Sequence, residues 1–170
     1  MENALFFILV TLLGVVVYQD FKSREISWFL IPLLVIGFAV TALFKMHVLD
    51  FLSYLGVNIT IVAVNLFGVT LLVSLKEKKL TNILKNHLGL GDVLFFIVLT
   101  FVFSPINFVF FYLGSVFVIT LIYSVIIIFF KGKNHLIPLA GAMSFLLIGI
   151  LVYAHFSISL NLYQDIILIE

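Results

Sequence analysis

The sequence predicts an all-α integral membrane protein of six transmembrane helices, and three observations carry that prediction. Of its 170 residues, 64% are hydrophobic and only 10% charged, and the mean hydropathy is +1.35. A soluble domain is about 45–50% apolar and about 25% charged. The apolar residues also fall into uncharged runs close to the roughly 20 residues that a helix needs to cross a hydrocarbon core. Finally, the polar connections are short and leave no room for a second, soluble domain, so residues 1–170 read as one membrane-embedded unit. This composition excludes a water-soluble enzyme, a nucleic-acid-binding module and a disordered tail.

The charges delimit the spans in order. Asn3 to Gln19 is the first uncharged run and Ile26 to Phe44 the second. After the polar connection from Lys45 to Asp50, Phe51 to Leu75 forms the third. The one strongly polar stretch, Lys76 through His87, follows. Val93 to Phe130 then runs 38 residues without a charge, too long for one helix across a core of about 30 Å. Ser104-Pro105-Ile106-Asn107 is the natural break, because proline cannot continue a helix and disfavours helix in the residue before it. A short fourth span ending near Phe103 and a fifth from about Phe108 to Phe130 result. The sixth runs from about Leu136 to His155, with an apolar tail after it.

Orientation follows from the basic residues. With the N-terminus outside, the connections after spans one, three and five face the cytoplasm. They hold Lys22, Arg24, Lys76, Lys78, Lys79, Lys85, Lys131 and Lys133, eight of the nine basic residues, against Lys45 alone on the other side. The positive-inside rule therefore predicts both termini outside and three basic cytoplasmic loops. Glu2 stands where a signal peptide would carry basic residues, and no small-residue cleavage site follows, so the first run is expected to remain as a span. The absence of cysteine excludes disulfides, Cys-based zinc sites and thiol catalysis.

In so apolar a chain the acids are the informative residues. Glu2, Asp50, Asp165 and Glu170 fall in outer segments, and Glu25 and Glu77 among inner basic residues. Asp20 and Asp92 differ. Asp20 closes the first span and Asp92 opens the fourth, so both are expected at the cytoplasmic end, at one membrane depth. Each has an ordinary structural reading: an Asp at a helix end is solvated, and one at a helix start caps the helix and suits its dipole. Asp20 fits that reading less well, since a carboxylate at a helix C-terminus opposes the dipole unless Lys22 or Arg24 helps. Two carboxyls brought together share a proton. Such a pair can deprotonate a water with one group and protonate a carbonyl with the other. Gly89 and Gly91, just before Asp92, allow positive φ angles and close backbone approach by an extended substrate.

The remaining polar residues read as structural. His47, His87, His135 and His155 lie in four different segments with no helical pairing that suits a metal. Asn58 and Asn65 are seven apart on one face of the third span, where they are expected to hydrogen-bond between helices. Trp28 suits a membrane interface, and Lys76 to Lys79 a solvated loop near lipid headgroups.

Three segments together carry a family resemblance. Gly89-Leu90-Gly91-Asp92 at the start of a transmembrane helix resembles the GxGD motif of membrane aspartic proteases, which include presenilins and type IV prepilin peptidases. Asp20-Phe-Lys-Ser-Arg-Glu-Ile26 is similar to the prepilin-peptidase pattern of Asp, basic residues, then Ile-Pro-Asn. Ile137-Pro138-Leu139-Ala140-Gly141 resembles the Ile-Pro-Phe-Gly/Ala segment that opens that family's late helix. The chain departs from the pattern at Ser27-Trp28, where the family has Pro-Asn, and at Leu94, where it often has Lys.

The resemblance implies a short, peptidase-only prepilin peptidase, without the cysteine-bearing N-terminal region of the bifunctional members. It would be an aspartic endopeptidase that removes the basic leader from type IV pilin-like or pseudopilin-like precursors at the cytoplasmic face of the cytoplasmic (inner) membrane. Asp20 and Asp92 would be its catalytic pair. Gly89 and Gly91 would shape the substrate side; by charge alone Glu25 and Glu77 are the candidates to receive a basic leader, which Lys76 to Lys79 would repel. No metal or organic cofactor and no nucleic acid is expected, and precursor and membrane lipid are the expected partners. The rival readings are a small proton-coupled transporter, in which membrane acids relay protons, and a catalytically silent scaffold of the same fold.

Overall fold

The computed structural model describes residues 2–78, 89–130, 137–156 and 161–165. Within them lie six helices: α1 (Glu2–Ser23), α2 (Leu30–Lys45), α3 (Val48–Glu77), α4 (Leu90–Leu99), α5 (Pro105–Phe130) and α6 (Leu139–Phe156). The predicted loop residues Lys79, Lys85, His87, Lys131, Lys133 and His135 lie outside the described residues. By length and apolarity α1, α3, α5 and α6 can each cross a membrane, while α2 and α4 are shorter apolar helices. The chain is a multi-pass membrane protein.

The helices alternate in direction. Phe6 near the start of α1 stacks on His155 near the end of α6, ring centroids 4.0 Å apart. Asp20 in the last turn of α1 meets Gly141 in the first turn of α6. Phe51 in the first turn of α3 clusters with Ala42 near the end of α2 and with Tyr163. One end of the bundle thus carries Lys22, Arg24, Lys76 and Lys78, and the other carries Lys45.

Burial explains which face of each helix looks inward. On α1 the buried residues are Leu9, Leu13, Val16 and Asp20, spaced by three or four so that they form one stripe. Asp20 is therefore the last member of an apolar stripe and is carried into the core. On α6 the inward stripe is Ala140, Gly141, Met143, Ser144 and Leu147. Its small residues let α1 come close, as in tightly packed membrane helices. α6 also packs on α4 and α5, so that it, like α2, is a neighbour of both acid-bearing helices.

The fourth span ends earlier than the sequence predicts. α4 has 10 residues, about 15 Å of helix, and stops at Leu99 instead of near Phe103. The N–H groups of Thr100, Phe101 and Val102 each bond the carbonyl three residues back, which tightens the chain into turns. Asn58 takes up two carbonyls left over there, donating from Nδ2 to Thr100 at 3.1 Å and to Phe103 at 2.9 Å. Asn65 accepts from the Tyr112 hydroxyl at 3.1 Å. Asn65 makes the interhelical bond expected of it, while Asn58 bonds the turn between α4 and α5. Pro105 does not merely interrupt the apolar run; it opens α5, where its missing N–H costs nothing.

Candidate active site

Asp92 is the third residue of α4. Gly89 precedes the helix as its N-cap with φ −65° and ψ 142°. The carboxylate interacts with the backbone N–H of Gly89, much as the third residue of a capping box reaches back to the cap. Its Oδ1 accepts a second bond, 2.9 Å long, from the N–H of Ala140. Asp20 Oδ2 accepts the N–H of the next residue, Gly141. The first turn of a helix leaves its N–H groups without intrahelical partners and carries the positive end of the dipole. The first turn of α6 is therefore a seat for two carboxylates side by side. Consecutive residues are about 3.8 Å apart, so the two acceptor oxygens can be no more than about 9 Å apart. Arg24 also interacts electrostatically with Asp20. The unfavourable placement of Asp20 at the end of its own helix is thus offset by the start of another and by this cation. Lys22 does not help: it points away to the Tyr18 hydroxyl, 2.8 Å from it.

The seat requires a small residue. A Cβ on Gly141 would lie 2.9 Å from Asp20 Oδ2 and 3.0 Å from its Cβ. Gly89 and Gly91 act in the same manner and not through backbone twist. No described glycine has positive φ, which corrects the expectation for these two. A Cβ on Gly89 would stand 3.1 Å from Asp92 Oδ2, and one on Gly91 would stand 3.3 Å from Ile26 Cδ1. The glycines permit close approach, to a catalytic candidate in one case and to the α1–α2 turn in the other.

That turn forms the opposite wall. Arg24 ends α1 in the left-handed region at φ 57°, a conformation unfavourable by about 1–2 kcal/mol for a residue with a side chain. Gln19 Oε1 accepts the N–H of Ser27 at 2.9 Å. Between the turn and the start of α4 lies a cleft of about 400 Å³, lined by both acids, Arg24, Glu25, Ile26, Trp28 and Gly89 through Asp92 among others. Glu25 is exposed on its rim, and Trp28 is 79% exposed.

The structure thus brings together Asp20, Asp92, Gly89, Gly91 and Glu25. Sequence reasoning assigned no role to the Ala140 and Gly141 amides or to Gln19. Pro138, whose carbonyl accepts the Ala142 N–H at 3.1 Å, was the available sign of a helix start at that point. Chemically, two carboxyls on adjacent N–H donors and open to a cleft can bind a water and a carbonyl between them.

The family model described as the type IV leader peptidase family matches residues 7–125. The matched segment includes both acids and stops short of α6. No curated protein and no solved structure matches the chain.

Proposed function

Since this chain belongs to the type IV leader peptidase family, we propose that it is a membrane aspartic endopeptidase with Asp20 and Asp92 as its catalytic pair. The observation that carries this reading is the shared seat: both carboxylates accept N–H groups from consecutive residues of one helix start. As substrate draws the two carboxyls to hydrogen-bond distance, the pair holds one proton between them, because carboxyls in contact do not both ionise cheaply. The ionised member takes a proton from a water as its oxygen attacks the scissile carbonyl carbon. The protonated member gives its proton to the carbonyl oxygen. Collapse of the resulting tetrahedral diol breaks the C–N bond, and a proton from the pair goes to the leaving amine. The Ala140 and Gly141 amides hold the pair in place through the cycle.

The substrate is a prepilin-like precursor whose basic leader approaches Glu25 on the cleft rim while its apolar helix stays in the bilayer. Gly89 and Gly91 line the cleft beside Asp92 in which an extended segment lies. The site end is the cytoplasmic one, since Lys22, Arg24, Lys76 and Lys78 are there and Lys45 is opposite. This orientation puts the scissile bond at the cytoplasmic face of the inner membrane. The test uses the purified protein in a bilayer and a precursor made of a short basic leader followed by an apolar helix. One cut at the leader junction is expected. An intact precursor, with proton-driven flux across the bilayer instead, would overturn the proteolytic reading.

A further inference from the structure

The α1–α2 turn carries one wall of the cleft, yet the bonds that hold it are few. Arg24 N–H closes the last turn of α1 onto Asp20 O at 3.1 Å, and Leu30 N–H bonds Ser27 O at 3.0 Å as α2 begins. Between these points the chain crosses Glu25 and Ile26 outside any helix, after a residue in the unfavourable left-handed region. Ile26 packs against the core, and among the described side-chain hydrogen bonds the one that holds this stretch is from Gln19, whose Oε1 accepts the Ser27 N–H at 2.9 Å. Gln19 is partly buried and directly precedes Asp20 on α1. Ile26, next to the tethered residue, closes on Gly91. One amide side chain therefore connects the acid on α1, the turn, and the residue beside the acid on α4.

The departure from the family pattern has a physical counterpart here. Where the resembled motif has proline after the isoleucine, the turn would be stiffened by a fixed φ and would offer no N–H. This chain has Ser27, whose N–H is available, and Gln19 binds it.

We propose that Gln19 is a positioning residue of the peptidase, which holds the α1–α2 turn as the substrate-facing wall by binding the Ser27 N–H. The proposal rests on the proteolytic reading for its effect on catalysis, while the tether itself can be measured without it. With the turn released, Ile26 leaves Gly91 and an extended substrate loses that wall. The two acids keep their seat on α6. Loss of Gln19 should therefore weaken substrate binding and spare the chemical step.

The test is made on the full chain in bilayers with two readouts. Gln19→Met keeps the volume and loses the acceptor; Gln19→Glu keeps an acceptor oxygen. Hydrogen exchange at the Ser27 amide should speed up in Gln19→Met and return towards the parental rate in Gln19→Glu. KM for a leader-bearing precursor should rise about fivefold in Gln19→Met, the factor one neutral hydrogen bond is worth, with kcat unchanged, and Gln19→Glu should restore it. In a Ser27→Pro background the donor is gone, so Gln19→Met should alter KM by less than about twofold. Unchanged Ser27 exchange in Gln19→Met overturns the tether. Faster exchange with parental KM, or a fall in kcat alone, overturns the positioning role. A parent that cleaves no precursor overturns that role together with the proteolytic reading, and the exchange result tells this failure apart from the others.

Discussion

At each end of the bundle an aspartate sits on the first turn of a helix, and the two seats are built differently. At the end carrying Lys45, Asp165 Oδ1 accepts the N–H of Ile106 at 3.0 Å, next to Pro105 at the start of α5. At the other end Asp20 and Asp92 accept the N–H groups of Gly141 and Ala140, next to Pro138 at the start of α6. The α5 seat is tied to the segment that bears its acid: Asn107 Nδ2 donates to the carbonyls of Leu162 and Gln164, and Ser104 N–H donates to Leu162. The α6 seat opens on a cleft of about 400 Å³. One acid satisfies one amide in the first case; in the second, two acids from helices far apart in sequence converge on adjacent amides. A single acid on one amide is a cap. A pair on adjacent amides beside a cleft is equipped for proton transfer as well.

The donor residues sharpen the contrast. Ile106 presents its N–H although it carries a large side chain, because a single acid can approach from one side. Gly141 carries none because α1 closes on it: a Cβ there would stand 2.9 Å from Asp20 Oδ2 and 3.1 Å from Phe21 Cδ2. Gly141→Val should therefore give the largest effect short of removing an acid. It forces Asp20 away from its amide, and a displacement of about 1 Å in a catalytic group can cost about 100-fold in rate. Precursor cleavage by the inserted variant measures this, and a rate near the parental one would break the contrast between the seats.

A smaller effect belongs to the other end. Asp165→Ala leaves the Ile106 N–H without its acceptor, as when a helix cap is lost, and should cost about 1 kcal/mol of stability. For a chain of this length that is a fall in Tm of about 2–4 °C. Cleavage per folded molecule should stay at the parental level. If Asp165→Ala lowered activity as much as Gly141→Val does, the α5 seat would not be merely structural.

Much of this arrangement could be read from the sequence, and the remainder has identifiable physical reasons. The helix count was legible because charges and Pro105 interrupt a nearly continuous apolar text. The end of α4 was not, because residues 100–103 are as suited to helix as those before them, and what stops the helix includes Asn58 from another helix. The two acids stood out because a carboxylate in an apolar chain needs an explanation. Their seat did not: Gly141 is 121 residues from Asp20, and helices that are apolar on all sides give no stripe from which to tell the inward face. The role of the glycines was half legible. Close approach is what their residue type suggests, but the groups that come close are Asp92 and Ile26 of the chain itself, and positive φ, which the residue type only permits, is not adopted.

The measurement that bears most directly on the account is precursor cleavage by Asp20→Asn, Asp92→Asn and the double variant, each purified from membranes and checked for parental folding. Asparagine keeps the shape and an acceptor oxygen for the α6 amides but cannot take up or release the proton. Each single variant should lose at least about 10²–10⁴-fold in kcat, and the double variant should be no worse than either single one, since members of one catalytic unit are not additive. An Asp92→Asn protein that still removes the leader at near the parental rate would contradict the account.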